Sequence, residues 1–235
     1  MVGTFVKLAS VQVIEMLALL GFDFVVIDDE HAPLDRAAID ILILAGRAYG
    51  MATVVRIADP TDASILSVLD SGAAGVMIPH VDSPEKAKRV ARACRYRDGA
   101  RGYGAATRAS RYGAVPMFDH VRQQDEEVVC IAMIEDLAAV ESIDLISRTA
   151  GIDALFLGRG DLAVALGEER SDALSTMTRQ VADVARSQSL PLMGVAGDEE
   201  DLAMLETLGV RSMIFASDYG FLQAGARAAL KRFGR

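Results

Sequence analysis

The chain has 235 residues, 51% of them apolar, and a formal charge of −9 with a pI near 4.9. That balance argues against nucleic acid and anionic membrane surfaces as partners, since both need a basic footprint. It leaves room for a small anionic substrate, provided the pocket carries local positive charge.

No proline- or serine-rich linker and no low-complexity tract divides the sequence, so residues 1–235 read as a single domain. The amino-terminal run Met1-Val2-Gly3-Thr4-Phe5-Val6-Lys7 enters a strand pattern directly, with no basic segment and apolar core of a secretion signal ahead of it. No apolar stretch reaches membrane-spanning length without charge or glycine. Cys94 falls in a helical pattern and Cys130 in a strand pattern. A disulfide framework is therefore not expected, and a reducing cytoplasm is the compartment the cysteines suggest.

The first strand is expected near residues 3–7 and the second at 23–28, where Phe24-Val25-Val26-Ile27 is apolar on both faces, as buried parallel strands require. The second ends in Asp28-Asp29-Glu30-His31. His31 suits a general base near neutral pH, with Asp28 to orient it or a bound water; a structurally packed histidine is the alternative. Asp35 caps a helix running to about Tyr49. The third strand, 52–57, carries Arg56 near its end. An arginine there needs an anion, either a substrate oxygen or a carboxylate such as Glu30. Thr61 or Asp62 caps the next helix, which ends at Gly72. Asp70 opposes the dipole at that helix end, so a tertiary or intersubunit partner is expected, His31 being the candidate.

A fourth strand at 75–79 leads to His80, to which the sequence assigns no role. Ser83-Pro84-Glu85 opens another helix. About thirty residues then separate Arg97 from Val128, including Arg101-Gly102-Tyr103-Gly104 and Arg108-Ala109-Ser110-Arg111. A connection this long suits a lid, a binding loop or a subunit contact. The fifth strand, 128–134, is followed by Glu135, and the sixth, 153–158, by Arg159-Gly160-Asp161. The last two strands are expected at 191–195 and 211–216.

Eight strands in 235 residues, about 29 residues per βα unit, match a TIM (β/α)8 barrel. An open doubly wound sheet would give the same alternation, but no GxGxxG follows the first strand. In a barrel the carboxyl ends of the strands converge on one mouth. Glu135 and Asp161 meeting there suit a hard divalent cation, Mg²⁺, Mn²⁺ or Co²⁺. Alternatively, Glu135 begins a helix and Asp161 caps one. Gly158 and Gly160 let backbone N–H groups at that helix start approach a substrate carboxylate.

These segments, taken in order, resemble the HpcH/HpaI aldolase family of metal-dependent, class II pyruvate aldolases. The likeness rests on Gly21-Phe22-Asp23, Asp28 to Pro33, Val54-Val55-Arg56, the two arginine-bearing stretches above, Ile134-Glu135 and Gly158-Arg159-Gly160-Asp161-Leu162. It spans nearly the whole chain. The resemblance implies a metal held by Glu135 and Asp161 and a bound 2-oxo acid such as pyruvate. It also implies that Arg56 contacts the keto oxygen and that His31 assists proton transfer, supported by Asp28 or Asp70. It further implies a homo-oligomer, hexamer or trimer, with the terminal helix around 221–230 exchanged between barrels.

The implied reaction is reversible aldol cleavage of a 4-hydroxy-2-oxo acid to pyruvate, or a related 2-oxo acid, and an aldehyde. A condensing relative, like the siderophore-type citrate synthases of this fold, is the alternative, and a non-catalytic barrel the third. Chelation of keto and carboxylate oxygens would stabilise an enolate, so no imine-forming lysine is needed. None is expected at the mouth, with Lys7 the only one near a strand end. Two residues depart from the family pattern: Met133 where glutamine is common, and Arg159 where proline is usual. The same stretches are also similar to pyruvate kinase, whose catalytic lysine at the Met133 position is missing here.

Overall fold

A computed structural model describes residues 1–168 and 171–234. Eight parallel strands close a barrel in sequence order: β1 (Val2–Val6), β2 (Phe24–Asp28), β3 (Ala52–Arg56), β4 (Gly75–Ile78), β5 (Val129–Ile134), β6 (Ala154–Leu157), β7 (Leu192–Ala196) and β8 (Ser212–Ser217). Each lies within about two residues of its expected position. The doubly wound alternative is thereby removed, because β8 pairs with β1.

The helices around the barrel are α1 (Val11–Leu19), α2 (Arg36–Ala48), α3 (Asp62–Asp70), α4 (Pro84–Ala93), α5 (Met117–Glu127), α6 (Leu137–Glu141), α7 (Ile143–Ser147), α8 (Arg159–Leu166), α9 (Ser171–Ser187), α10 (Glu199–Thr207) and α11 (Asp218–Arg232). Side-chain caps start several of them. Asp35 accepts from the Ala38 N–H at 2.8 Å, Thr61 from Ser64 and Ser83 from Lys86. Pro84 occupies the first turn of α4, where its missing N–H costs nothing.

Two apolar layers result from the two-residue period of each strand. Outward residues such as Val25, Ile27, Val55 and Val76 pack under the helices. Inward residues, among them Phe5, Val26, Val54, Met77, Ile131, Met133 and Phe156, fill the barrel interior. Continuing each inward series by two residues brings Lys7, Asp28, Arg56 and Glu135 to the carboxyl end of the barrel. The register agrees, pairing Asp28 with Arg56 and Arg56 with Met77.

The long connection before β5 is not structureless, because it contains the eleven residues of α5 and a 3₁₀ turn at Arg111–Gly113. Two of its arginines, Arg101 and Arg108, are occupied within the chain. Arg101, whose side chain is fully buried, pairs with Asp70 at 3.3 Å and stacks over Tyr96. Arg108 forms two 2.7 Å bonds to the Asp40 carboxylate. Both hold the loop down against the body of the barrel. Cys94 and Cys130 are buried free thiols. No helix among the described residues is long and apolar enough to cross a membrane.

Candidate active site

Glu135 follows β5 and is 2% exposed. Its Oε1 accepts from the backbone N–H of His80 at 2.8 Å. His80 presents that N–H because it adopts φ 52°, a left-handed conformation rare outside glycine, just after β4. Burial pushes the Glu135 carboxyl above its ordinary range. His80 pulls it down, while the charges of Asp161 and Glu30 push it further up. A buried carboxylate among other carboxylates favours whatever cation can neutralise it. Gly158 leaves room for the Glu135 side chain itself: a Cβ there would collide with its Cβ and stand 2.7 Å from its Oε2. Nothing lies within 4 Å of a Cβ built on Gly160, so that residue borders open space.

Asp161 lies in the first turn of α8 rather than at a strand end, since β6 stops at Leu157 and Gly158 is the N-cap. It is solvent-exposed. Glu135 and Asp161 nevertheless line one cavity of about 440 Å³, together with Arg56, Met133, Gly158, Arg159 and Gly160. A larger cleft of about 780 Å³ runs along α4, lined by Glu85, Lys88, Arg92 and Thr149 among others. Convergent chemistry, not size, distinguishes the mouth.

Arg56 is buried and answers both alternatives drawn from the sequence at once. Its Nε and Nη2 donate to the two oxygens of Asp28 at 2.9 and 2.7 Å, and its Nη1 lies 3.2 Å from Glu30. The Phe5 ring lies beneath the guanidinium, 4.7 Å from centroid to carbon. Arg56 thus borders the cavity with its orientation fixed by three groups.

Asp28 does not orient the His31 ring, contrary to expectation. It accepts the backbone N–H of His31 at 3.2 Å, and its remaining capacity is taken by Arg56 and Lys7. Its burial raises the carboxyl pKa, but the hydrogen bonds from Arg56 and Lys7 more than offset this and hold it below the ordinary value. Asp28 is therefore a fixed anion. The imidazole of His31 is half exposed, with Nε2 3.6 Å from Glu30. Glu30, not Asp28, faces the ring.

Asp70 lies outside the mouth of its own barrel. The helix α3 runs from the mouth toward the amino-terminal end, where Asp70 meets Arg101. Within the chain it does not reach His31, so a catalytic part for it requires a second subunit.

Three residues enter the site that the sequence did not place there. Lys7 brings Nζ to 2.8 Å from Asp28, correcting the expectation that no lysine stands at the mouth. Its signal was the two-residue period through Gly3 and Phe5. His80 stands 3.6 Å from Glu135 and 3.2 Å from Asp136 through Nδ1, and 3.9 Å from Glu30 through Nε2. Its position at the end of β4 was the available clue. Arg159 is paired with Asp201 beside the first residues of α10.

A TIM barrel with a basic and acidic cluster around a cavity at the carboxyl ends of its strands is the architecture of an enzyme. Comparison with known proteins makes the class specific. The family model for HpcH/HpaI aldolase/citrate lyase matches residues 1–220. The chain belongs to this family, and hence to the carbon–carbon lyases of aldolase type. The 5-keto-4-deoxy-D-glucarate aldolase of Salmonella arizonae is 30% identical over 99% of this chain and 91% of its own length. Among solved structures, an HpcH/HpaI aldolase/citrate lyase family protein from Burkholderia cenocepacia J2315 superposes with a TM-score of 0.93 at 27% identity, covering 100% of this chain and 94% of the other. The citrate synthase SbnG superposes at 0.90 with 29% identity, covering 99% and 92%.

Proposed function

We propose that the protein catalyses the reversible aldol cleavage of a 4-hydroxy-2-oxo acid to pyruvate, or a related 2-oxo acid, and an aldehyde. The observation that carries the reading is the meeting of Glu135, Asp161 and Arg56 around one solvent-reachable cavity. The donor set fits a hard cation. Among the described residues no three His, Cys, Asp or Glu side chains cluster as a ready-made metal cage. Two carboxylates with space beside them suit Mg²⁺, Mn²⁺ or Co²⁺, which take water and substrate oxygens to complete their shell. Such a cation would supply Lewis acidity toward the oxo acid's oxygens.

The chain's own residues supply the rest. Arg56 holds a fixed donor toward the oxygen on which charge develops as a carbon-bound proton leaves. His31, open to solvent and beside Glu30, carries that proton. The backbone N–H groups at the start of α8, next to Gly158 and Gly160, receive the substrate carboxylate. From Phe221 onward α11 is exposed, which supports exchange of this helix within a homo-oligomer, hexamer or trimer, and an intersubunit place for Asp70.

The test is exchange of pyruvate methyl protons into deuterated solvent with and without chelator. Exchange restored by Mg²⁺, Mn²⁺ or Co²⁺ is expected, and its absence with all three would overturn the proposal. The likeness to the citrate synthase SbnG favours one other reading, condensation of an enolate with an oxo acid. Turnover of a panel of aldehydes with pyruvate, set against oxaloacetate plus acyl-CoA, separates the two.

A further inference from the structure

We propose that Lys7 is a positioning residue that sets the charge balance at Arg56 through their shared partner Asp28, an inference that rests on the enolate chemistry proposed above. The carboxylate of Asp28 is fully buried, and all its contacts come from three residues. Oδ1 accepts from Arg56 Nε at 2.9 Å and from the His31 N–H at 3.2 Å. Oδ2 accepts from Arg56 Nη2 at 2.7 Å and faces Lys7 Nζ at 2.8 Å. Two cations therefore divide one anion.

The charge count shows what the lysine does. Lys7 and Arg56 stand against Asp28 and Glu30, so the group is neutral with Lys7 present and carries one net negative charge without it. The mouth already holds Glu135, Asp136 and Asp161. An oxo acid is itself an anion, and its conversion to an enolate puts further charge on the oxygen facing Arg56. An arginine wholly claimed by two carboxylates would be a weaker electrophile there. Lys7 takes part of Asp28's charge and leaves that of Arg56 available.

The lysine is held for this work. It does not form the cavity wall, and its side chain is only 20% exposed. The turn after β1 is anchored by α11: Asp218 accepts the backbone N–H groups of Lys7 and Leu8 at 2.9 and 2.8 Å. Two residues earlier, Phe5 supports the Arg56 guanidinium from beneath. The strand β1 thus steadies Arg56 twice, once by a ring and once by a charge acting through Asp28.

The test compares wild type, Lys7→Met and Lys7→Arg, with Mn²⁺ present throughout. It reads three quantities: the rate and KM of pyruvate proton exchange, the affinity for oxalate by calorimetry, and the melting temperature. Oxalate is a planar dianion that resembles the enolate in charge. Lys7→Met should lower kcat and weaken oxalate roughly tenfold each, with the KM for pyruvate changed less than about threefold, because the lost interaction strengthens only as charge develops. Lys7→Arg should recover most of both losses.

If Lys7→Met retains wild-type kcat and oxalate affinity, the inference is overturned while the proposed function stands. The inference also fails if kcat, KM and melting temperature decline together and Lys7→Arg does not rescue them, since that marks a purely structural role. A wild type that neither exchanges protons nor binds oxalate would instead overturn the proposed function, and this inference with it.

Discussion

A Cβ on Gly158 would stand 2.7 Å from Oε2 of Glu135, so the absence of a side chain at one residue sets where the carboxylate of the other can rest. Gly158→Ala should therefore push Glu135 out of position. A loss of more than about 100-fold in proton exchange is expected, since misplacement by an ångström has effects of that order. The accompanying destabilisation should be about 1–3 kcal/mol, as for other overpacked sites. Steady-state kinetics and denaturant unfolding check the two parts.

Glu135→Gln removes a charge that the fold carries at a cost when no cation is bound. Metal affinity and activity should fall together. The melting temperature in chelator should stay level or rise, because burial and the neighbouring carboxylates Asp161 and Glu30 disfavour the charged form. Mn²⁺ titration and calorimetric melting in chelator measure both. A large fall in apo melting temperature would show that Glu135 holds the fold rather than the ion.

Asp70→Asn leaves the buried guanidinium of Arg101 without its carboxylate. A stability loss of roughly 2–4 kcal/mol is expected, somewhat under the usual cost of breaking a buried pair, because Asp70 is itself partly exposed. If Asp70 also serves the His31 of a neighbouring subunit, kcat of the folded fraction should fall and the basic or acidic limb of its pH profile should move. Urea unfolding together with pH–rate profiles separates these effects.

The ring of His120 is buried beside Tyr96, with Nε2 3.1 Å from the phenol oxygen. Burial, and then the Arg101 charge, hold its pKa below the ordinary 6.5. The native state thus binds fewer protons than the unfolded chain just below pH 6.5, and there stability must fall as pH falls. His120→Gln should flatten this dependence, giving melting temperatures that converge with wild type under acid conditions. Thermal melts between about pH 5 and 7.5 test it.

The fold was legible because its signals are local. Eight apolar runs at regular spacing, and caps at Asp35, Thr61 and Ser83, depend only on neighbours along the chain. Arg56 and Glu135 were legible for a related reason: a charged residue ending an apolar parallel strand must point into a helix layer or a mouth, and only the mouth tolerates it. Lys7 obeys the same two-residue period, but a lysine side chain is long enough to reach solvent from many positions. Only the pairing of β1 with β2 brings it to Asp28.

The sequence by itself determined a barrel, a mouth, and the kinds of groups gathered there, because periodicity and strand-end chemistry are properties of neighbouring residues. Tertiary structure alone decided which charge meets which. It took Asp28 from His31 and gave it to Arg56 and Lys7, bound Asp70 to Arg101 at the far end, and turned His80 toward Glu135. Such pairings, Arg108 with Asp40 included, join residues up to 68 positions apart in the chain. The competition among several carboxylates for a few cations is settled by distance and burial, neither of which is written along the chain.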